Sequence, residues 1–464
     1  MCCYPHSRDR EASPEQAPAP RPIVLVPGFL GPAWHRDRST TSRLYNYWGV
    51  APSLGSPATP VMCAWPSGLS SLHDRACEIF AQIKGGIVDY GEEHSAEFGH
   101  ERYGRAYEGL FPEWSAEHPV HLVGHSLGGV TIRVLQHLLD TRAFPGHNTS
   151  AAWITSITVI NAPLNGSIAA YALGEKEKDA PAVVKLSPGH MLGCAVHLLA
   201  FLDVRLGGFD LGLDHWNLSA WKGPITAITT LRDSLLVRST IVESKDNAAF
   251  DASVHSMSEW NKSIRTHPNC YYFSWVGTGV EANAIPAFPQ SAVLKNVLFW
   301  IVVLLQWAFR RAFLSTIAWL SARREYPDLK PFEGFDLAAY KVQSDGLCSE
   351  QSQRYPVSKS NPQRAAPLPK NGQPLTPGVW YYSEHGQDHM GVVPFPPSDD
   401  YQRSFFRGVF LGLASLPLAD ESKEEESNDM QLTGVDCLGL SAEVRGIHVT
   451  RCNTSIHVPV EVHK

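Results

Sequence analysis

Residues 120–129 read VHLVGHSLGG. The apolar run 120–123 has the character of a parallel strand buried on both faces, and the residues after Gly128 carry a helical pattern to about residue 140. Between them stands Gly124-His125-Ser126-Leu127-Gly128, a G-x-S-x-G pentapeptide placed at a strand-to-helix turn. A serine exposed on so sharp a turn needs glycine two residues to either side, because side chains there would collide as strand and helix converge. The helix N-terminus and the Leu127 N–H then face an oxyanion forming beside the serine. Ser126 is therefore the candidate nucleophile.

Outward from this turn, apolar runs recur at 23–26 (IVLV), 61–65 (VMCAW), 154–160 (ITSITVI), 225–230 (ITAITT) and 271–276 (YYFSWV). Helical pattern falls between them at 73–84, closed by Gly85-Gly86, at 128–140 and at 253–265, and a last helix is expected over 398–416. The alternation predicts a mostly parallel central sheet covered by helices on both faces, and with the G-x-S-x-G elbow at its strand-to-helix turn the expected fold is that of an α/β-hydrolase. In that fold the acid and then the histidine follow the serine along the chain. Asp345 in Ser344-Asp345-Gly346 and His389 in Asp388-His389-Met390-Gly391 fit that order; by spacing alone His255, His267 and His385 stay open, His385 being the nearest rival. A neutral imidazole takes the serine proton and the carboxylate orients the imidazole. A second oxyanion donor would come from the loop after the first strand, where the Phe29 N–H in Pro27–Gly31 is the candidate.

The Pro/Ala-rich residues 1–20 read as a disordered lead, 21–416 as one catalytic domain, and 417–464 as a charged linker and tail. Residues 349–377, rich in Ser, Gln, Pro, Lys and Asn, read as a long mobile loop. The most apolar run, 297–309 within an apolar helical segment 291–323, falls short of the ~20 residues a bilayer span requires. Extending it would bury Arg310 and Arg311, so a buried or lid-adjacent helix is expected, with contact to a lipid interface as the alternative. With a net charge of -7 and no Lys/Arg block, nothing in the sequence suggests a nucleic-acid footprint. Nine scattered cysteines without a CxxC pair suggest reduced thiols, with neither a disulfide framework nor a thiolate metal site. The first twenty residues hold no apolar signal core, so a cytoplasmic location is the default; the sequons at Asn148, Asn165, Asn217, Asn261 and Asn453 point weakly to export or membrane association behind a longer N-terminus. Oligomeric state is not encoded in any of these patterns.

From Pro22 to about Val393 the chain resembles the thermostable zinc-containing bacterial lipases. The run that carries this most specifically is LSSLHDRACEIFAQIKGGIVDYGEEHSAEFGHERYGRAYEGLFPE at 69–113. It is joined by IVLVPGF at 23–29, NAPLNGS at 161–167, FDLGLDHW at 209–216, SKDNAAFD at 244–251, NCYYFSW at 269–275, SDG at 344–346, and GVW with DH at 378–389. The resemblance implies Ser126, Asp345 and His389 as a triad acting on acylglycerol esters, the Phe29 and Leu127 N–H groups as oxyanion hole, and a helical lid within 170–205. It also implies a structural zinc held in an extra-helical insertion by Asp74, His94, His100 and Asp246, with Asp251 as the alternative to Asp246. Spacing alone does not indicate that set, since His94 and His100, six apart, do not share a helix face. Where the family commonly has Ala-His-Ser-Gln-Gly-Gly, this chain has Gly124 and Leu127. Gly391 and Pro396-Pro397 stand where the family places calcium ligands, so its calcium site is expected to be lost. A soluble carboxylesterase or acyltransferase with the same triad is the alternative, and a silent lipid-binding protein the third.

Overall fold

The computed structural model describes residues 20–31, 47–176, 183–201, 210–216, 228, 232, 244–279, 312–321, 344–369, 373–393 and 399–417. Seven strands form one sheet: β1 (Ile23–Val26), β2 (Val61–Cys63), β5 (Val120–His125), β6 (Ile154–Ile160), β7 (Tyr271–Gly277), β8 (Ala365–Pro367) and β9 (Trp380–His385), in spatial order β2-β1-β5-β6-β7-β9-β8. Every pairing is parallel. The buried runs of β1, β5, β6 and β7 thus occupy the interior of the sheet, as continuous apolar strands must. Helices α1 (Leu72–Lys84) and α3 (Leu127–Asp140) cover one face, and the helix Asp399–Ala414 covers the other. A separate antiparallel pair, β3 (Gly86–Asp89) and β4 (Tyr103–Tyr107), flanks the short helix α2 (Glu92–Phe98) and forms an insertion outside the main sheet.

Local chemistry explains the boundaries. Ser71 caps α1 by accepting the Asp74 N–H, and Gly85 closes it at φ 94°, a conformation that favours glycine. The elbow is tighter still. A Cβ on Gly124 would lie 2.5 Å from the Gly128 carbonyl carbon, and one on Gly128 would lie 2.2 Å from the Val26 carbonyl oxygen.

Residues 349–377, expected as a mobile loop, instead contain the helix Glu350–Arg354 and the edge strand β8. The polar side chains that suggested a loop serve as internal partners. Ser349 caps the helix by accepting the Ser352 N–H at 3.2 Å. The Gln353 amide accepts the Gly277 N–H at 2.8 Å and donates to the Gly277 and Cys348 carbonyls at 3.2 and 2.9 Å. Pro367 is tolerated because β8 lies at the sheet edge. Of the run 225–230, expected as a strand, only Ile228 is described, and it is helical. Of the segment 291–323, only 312–321 is described, as helix with Leu314 and Ile317 buried and Phe313 and Trp319 exposed. The lead before residue 20 and the tail after 417 lie outside the described residues. Among the described residues no helix is long and apolar enough to cross a membrane.

Because the atom facing Gly128 is backbone, Gly128→Ala cannot be relieved by a rotamer change. It is expected to destabilise the fold by about 1–3 kcal/mol or more in urea unfolding; an unchanged midpoint would refute this packing.

Candidate active site and metal centre

Ser126 sits between β5 and α3 at φ 55° and ψ −129°, a strained conformation for a residue with a side chain. Its N–H donates to the Ile160 carbonyl at 2.8 Å, and its own carbonyl accepts the Gly129 N–H at 2.9 Å, so the turn is pinned from both sides. The hydroxyl points to His389 Nε2 at 2.8 Å, and His389 Nδ1 lies 2.8 Å from Asp345 Oδ2. Asp345 is fully buried, and its Oδ1 accepts the Leu347 and Cys348 N–H groups at 3.0 and 2.7 Å. Since a carboxylate only accepts, His389 carries its proton on Nδ1 and presents a bare Nε2 to the serine. The three residues expected from the chain order are thus brought into one hydrogen-bonded line.

The rival histidines are engaged elsewhere. Nε2 of buried His385 lies 2.7 Å from Asn161 Oδ1, and burial pushes its pKa down to about 4. His267 lies 3.8 Å from Asp140, and His255 is exposed on the helix Val254–Ser263 with its ring 6.3 Å from that of Phe250. Phe29 and Leu127 both border the cavity in front of Ser126, and neither N–H has a protein acceptor among the described residues. Both donors are therefore available to a reacting carbonyl oxygen.

The sequence reading missed what holds the base and the first-strand loop together. The Gly28 N–H donates to the Tyr47 hydroxyl at 2.8 Å, Tyr47 lies 2.5 Å from His125 Nδ1, and His125 Nε2 lies 2.8 Å from the His389 carbonyl. A carbonyl can only accept, so His125 donates from Nε2 and takes the Tyr47 proton at Nδ1. Burial, and then the neighbouring His389, hold the His125 pKa well below the usual histidine range, which keeps this tautomer neutral. The chain therefore ties the loop bearing Phe29 to the backbone of the base. Position 125 is a variable letter in the pentapeptide, and only its residue type could have hinted at the role.

A second cluster lies in the insertion. Asp74 stands in the first turn of α1, His94 on α2, and His100 just beyond Gly99, whose left-handed φ of 76° turns the chain back. That turn, not a shared helix face, brings the two imidazoles together. Asp246 joins from the loop before the helix Ala248–Asp251, its N–H held by Ser244 Oγ at 3.0 Å. His94 Nε2 lies 3.1 Å from Asp74 and 3.2 Å from Asp246, and His100 Nε2 lies 3.3 and 3.9 Å from Asp246 and Asp74. Four ligands bound at about 2.0–2.1 Å around a tetrahedral ion would stand about 3.3 Å apart. His100 donates Nδ1–H to the Glu101 carbonyl at 2.9 Å, leaving Nε2 bare to bind. Asp74 Oδ1, His94 Nε2, His100 Nε2 and both Asp246 carboxyl oxygens are buried without hydrogen-bond partners, as a metal-ligating set would be. Without an ion, burial disfavours charge on His94, but Asp246 and Asp74 prevail and raise it to about 9.

Asp251 is not in this cluster: its carboxylate accepts from the Leu72 N–H, the Ser256 hydroxyl and the Trp260 indole. His215, which spacing did not single out, adjoins Asp74 Oδ2 at 3.0 Å. The sequons at Asn165 and Asn261 are internal, with the Asn261 amide donating to Asn165 Oδ1 at 3.1 Å.

A family model described as lipase-like, C-terminal domain matches residues 19–305. The chain belongs to that family. It is 31% identical over 291 residues to the lipase of Staphylococcus hyicus, covering 58% of this chain and 42% of that protein. It is 35% identical over 289 residues to Lipase 2 of Staphylococcus aureus (strain MRSA252), covering 57% and 38%. The chain thus spans about two fifths of the length of these curated relatives. Among solved structures, lipase 1 of Pelosinus fermentans aligns at TM-score 0.60 and 27% identity over 86% of this chain and all of that one. The Staphylococcus hyicus lipase aligns at TM-score 0.60 and 24% identity over 89% and 99%, a likeness of fold. The chain thus shares its parallel-sheet fold with these solved lipases, and the staphylococcal relatives together with the four-residue cluster are consistent with a bound metal.

Replacing His125 by leucine removes two buried partners at once. His125→Leu is expected to cost about 1–3 kcal/mol for each group left unsatisfied, read from urea unfolding; wild-type stability would show that the Tyr47–His125–His389 chain ties nothing.

Proposed function

We propose that this chain is a serine-dependent carboxylic-ester hydrolase, a lipase acting on acylglycerol esters through an acyl-enzyme. The observation that carries the reading is the line Asp345–His389–Ser126, which opens on an apolar cavity of about 220 Å³. His389 Nε2 takes the serine proton as Oγ attacks the ester carbonyl, and the Phe29 and Leu127 N–H groups receive the oxyanion. His389 then returns the proton to the departing alcohol. Water repeats the sequence to release the acid. The names of the staphylococcal relatives support the substrate class.

The helices α4 (Ala169–Leu173) and α5 (Pro188–Phe201) contribute Leu173, Leu192 and Val196 to the cavity wall. They lie where the lid was expected, and we assign them that role: their apolar inner faces would meet lipid when they swing out. Zinc is the metal we assign to Asp74, His94, His100 and Asp246. Two imidazoles and two carboxylates fill a tetrahedron, which suits a structural ion rather than a catalytic one.

Hydrolysis of p-nitrophenyl esters of increasing acyl length tests the reaction. Ser126→Ala and Asp345→Asn are expected to lose about 10⁴-fold or more in kcat, and the wild-type rate is expected to rise with chain length and at an emulsion surface. A maximum on short, soluble esters would instead indicate a carboxylesterase. Equal background rates in wild type and Ser126→Ala would dismiss the triad.

Elemental analysis of the purified protein is expected to give about one zinc per chain, and His94→Ala is expected to lose it. Metal held a thousandfold above its Kd contributes about 4.1 kcal/mol to stability, so chelation should lower the melting temperature, and zinc but not calcium should restore it. Restoration by calcium alone would overturn both the zinc assignment and the lost calcium site.

A further inference from the structure

The cavity in front of Ser126 and His389 is walled by Leu69, Leu173, Val183, Leu192, Val196 and Phe250, and one side chain in that wall does not belong to an apolar surface. Glu175 follows Gly174 at the end of α4 and is only 6% exposed. Its backbone is fixed: the N–H donates to the Ala170 carbonyl at 3.1 Å, and the residue bridges to Val183 on the approach to α5. Its carboxyl is not, for neither oxygen has a hydrogen-bond partner among the described residues.

Apart from the catalytic pair and the weakly bonding Cys348 thiol, the other polar side chains of the wall are already committed. The Ser167 hydroxyl donates to the Leu347 carbonyl, and the Asn247 amide bonds Ser244, Ala249 and Phe250. Glu175 alone among these side chains offers unused hydrogen-bonding capacity to the cavity. Burial pushes its pKa up to about 8, and the nearby Asp251 acts in the same direction. At neutral pH it is thus a carboxylic acid, which both donates and accepts. A hydroxyl has the same pair of capacities. A cationic ligand matches less well, because both charges would have to leave water for an apolar wall.

We propose that Glu175 is a specificity-determining residue that hydrogen-bonds a hydroxyl on the acyl chain, so that the preferred ester of this cavity is a hydroxylated fatty-acyl ester. This rests on the hydrolase reading above. A site built around a hydrogen bond discriminates against the analogue that leaves its polar group unpaired, whereas a purely apolar pocket hardly distinguishes chains differing by one hydroxyl.

The test is kcat/KM for methyl octadecanoate and for methyl octadecanoates hydroxylated at successive positions along the chain, using wild type, Glu175→Gln and Glu175→Leu. Wild type is expected to prefer one positional isomer over the plain chain by about tenfold, the equivalent of about 1.4 kcal/mol. Glu175→Gln should keep most of that preference. Glu175→Leu should lose it, with the hydroxylated ester slowed and the plain ester accelerated. Indifference of wild type to the hydroxyl at every position overturns the proposal without recourse to any variant, as does a preference that persists in Glu175→Leu. Calorimetric binding of the same esters to Ser126→Ala separates the two inferences: a hydroxyl preference in binding with no turnover by wild type would sink the hydrolase reading alone, while equal binding of plain and hydroxylated chains would sink the role of Glu175.

Discussion

The backbone of Ser126 is held at φ 55° by a contact that leaves no room for a single added carbon. The Gly128 α-carbon faces the Val26 carbonyl oxygen, Gly124 faces the backbone at Gly128, and a Cβ on Gly28 would lie 2.7 Å from Ser126 Cβ. Three elements, β1, β5 and α3, are thereby locked at one point. A strained non-glycine residue costs on the order of 1–3 kcal/mol and persists only where its surroundings over-determine it. Here they do, since the Ser126 N–H and carbonyl are both spent on neighbouring segments. The parallel sheet places β6, β7 and β9 beside this point in register, and Asp345 and His389, which follow β7 and β9 along the chain, reach the same end.

What could be read in the sequence follows the range of the interactions. The elbow and the buried strands are local patterns, and β1, β5, β6 and β7 begin within a residue or so of the apolar runs that announced them. β9 was not visible as an apolar run, because Ser383 and Glu384 interrupt it; its aromatic half packs through Trp380 against Tyr272. The helix and edge strand inside 349–377 were hidden because composition reports solvation, whereas Ser349 and Gln353 use their polarity inward. Chain order suggested Asp345 and His389 but did not separate His389 from His385, and only the distances do so. His125 and Tyr47 were invisible because their partners lie 264 and 78 residues away along the chain.

The metal cluster shows the same dependence on distant contacts and couples the insertion to the core. Asp74 lies at the start of α1, whose apolar face is part of the main core alongside α3. His94 and His100 belong to the β3–α2–β4 insertion, and Asp246 belongs to the segment that continues into Ala248 and Phe250 of the cavity wall. An ion at this point would join three chain segments that also meet in the main core, through Val88 and Tyr90 of the insertion, Ala248, and Leu72 and Ala76 of α1. None of its four ligands lines the cavity in front of Ser126, so its influence there would pass through the placement of Ala248 and Phe250.

The cavity therefore has two kinds of support. One end is fixed by the elbow and by the hydrogen-bonded chain from Gly28 to His389, which tolerate little movement. The other end is made of the α4 and α5 segments, which are tied among the described residues by the Glu175 N–H to the Ala170 carbonyl, the Val184 N–H to the Gly174 carbonyl at 2.7 Å and the bridge of Glu175 to Val183. For the proposed ester hydrolysis, a rigid elbow beside a separately supported apolar wall would let the carbonyl be held closely while its chain enters along that wall. A buried carboxyl on the tethered side costs the closed form stability unless something in the cavity pairs with it. If α4 and α5 open as the lid we propose, the wall that moves would also be the wall whose closure a bound chain stabilises, so selection of the chain and closure over it would draw on one hydrogen bond.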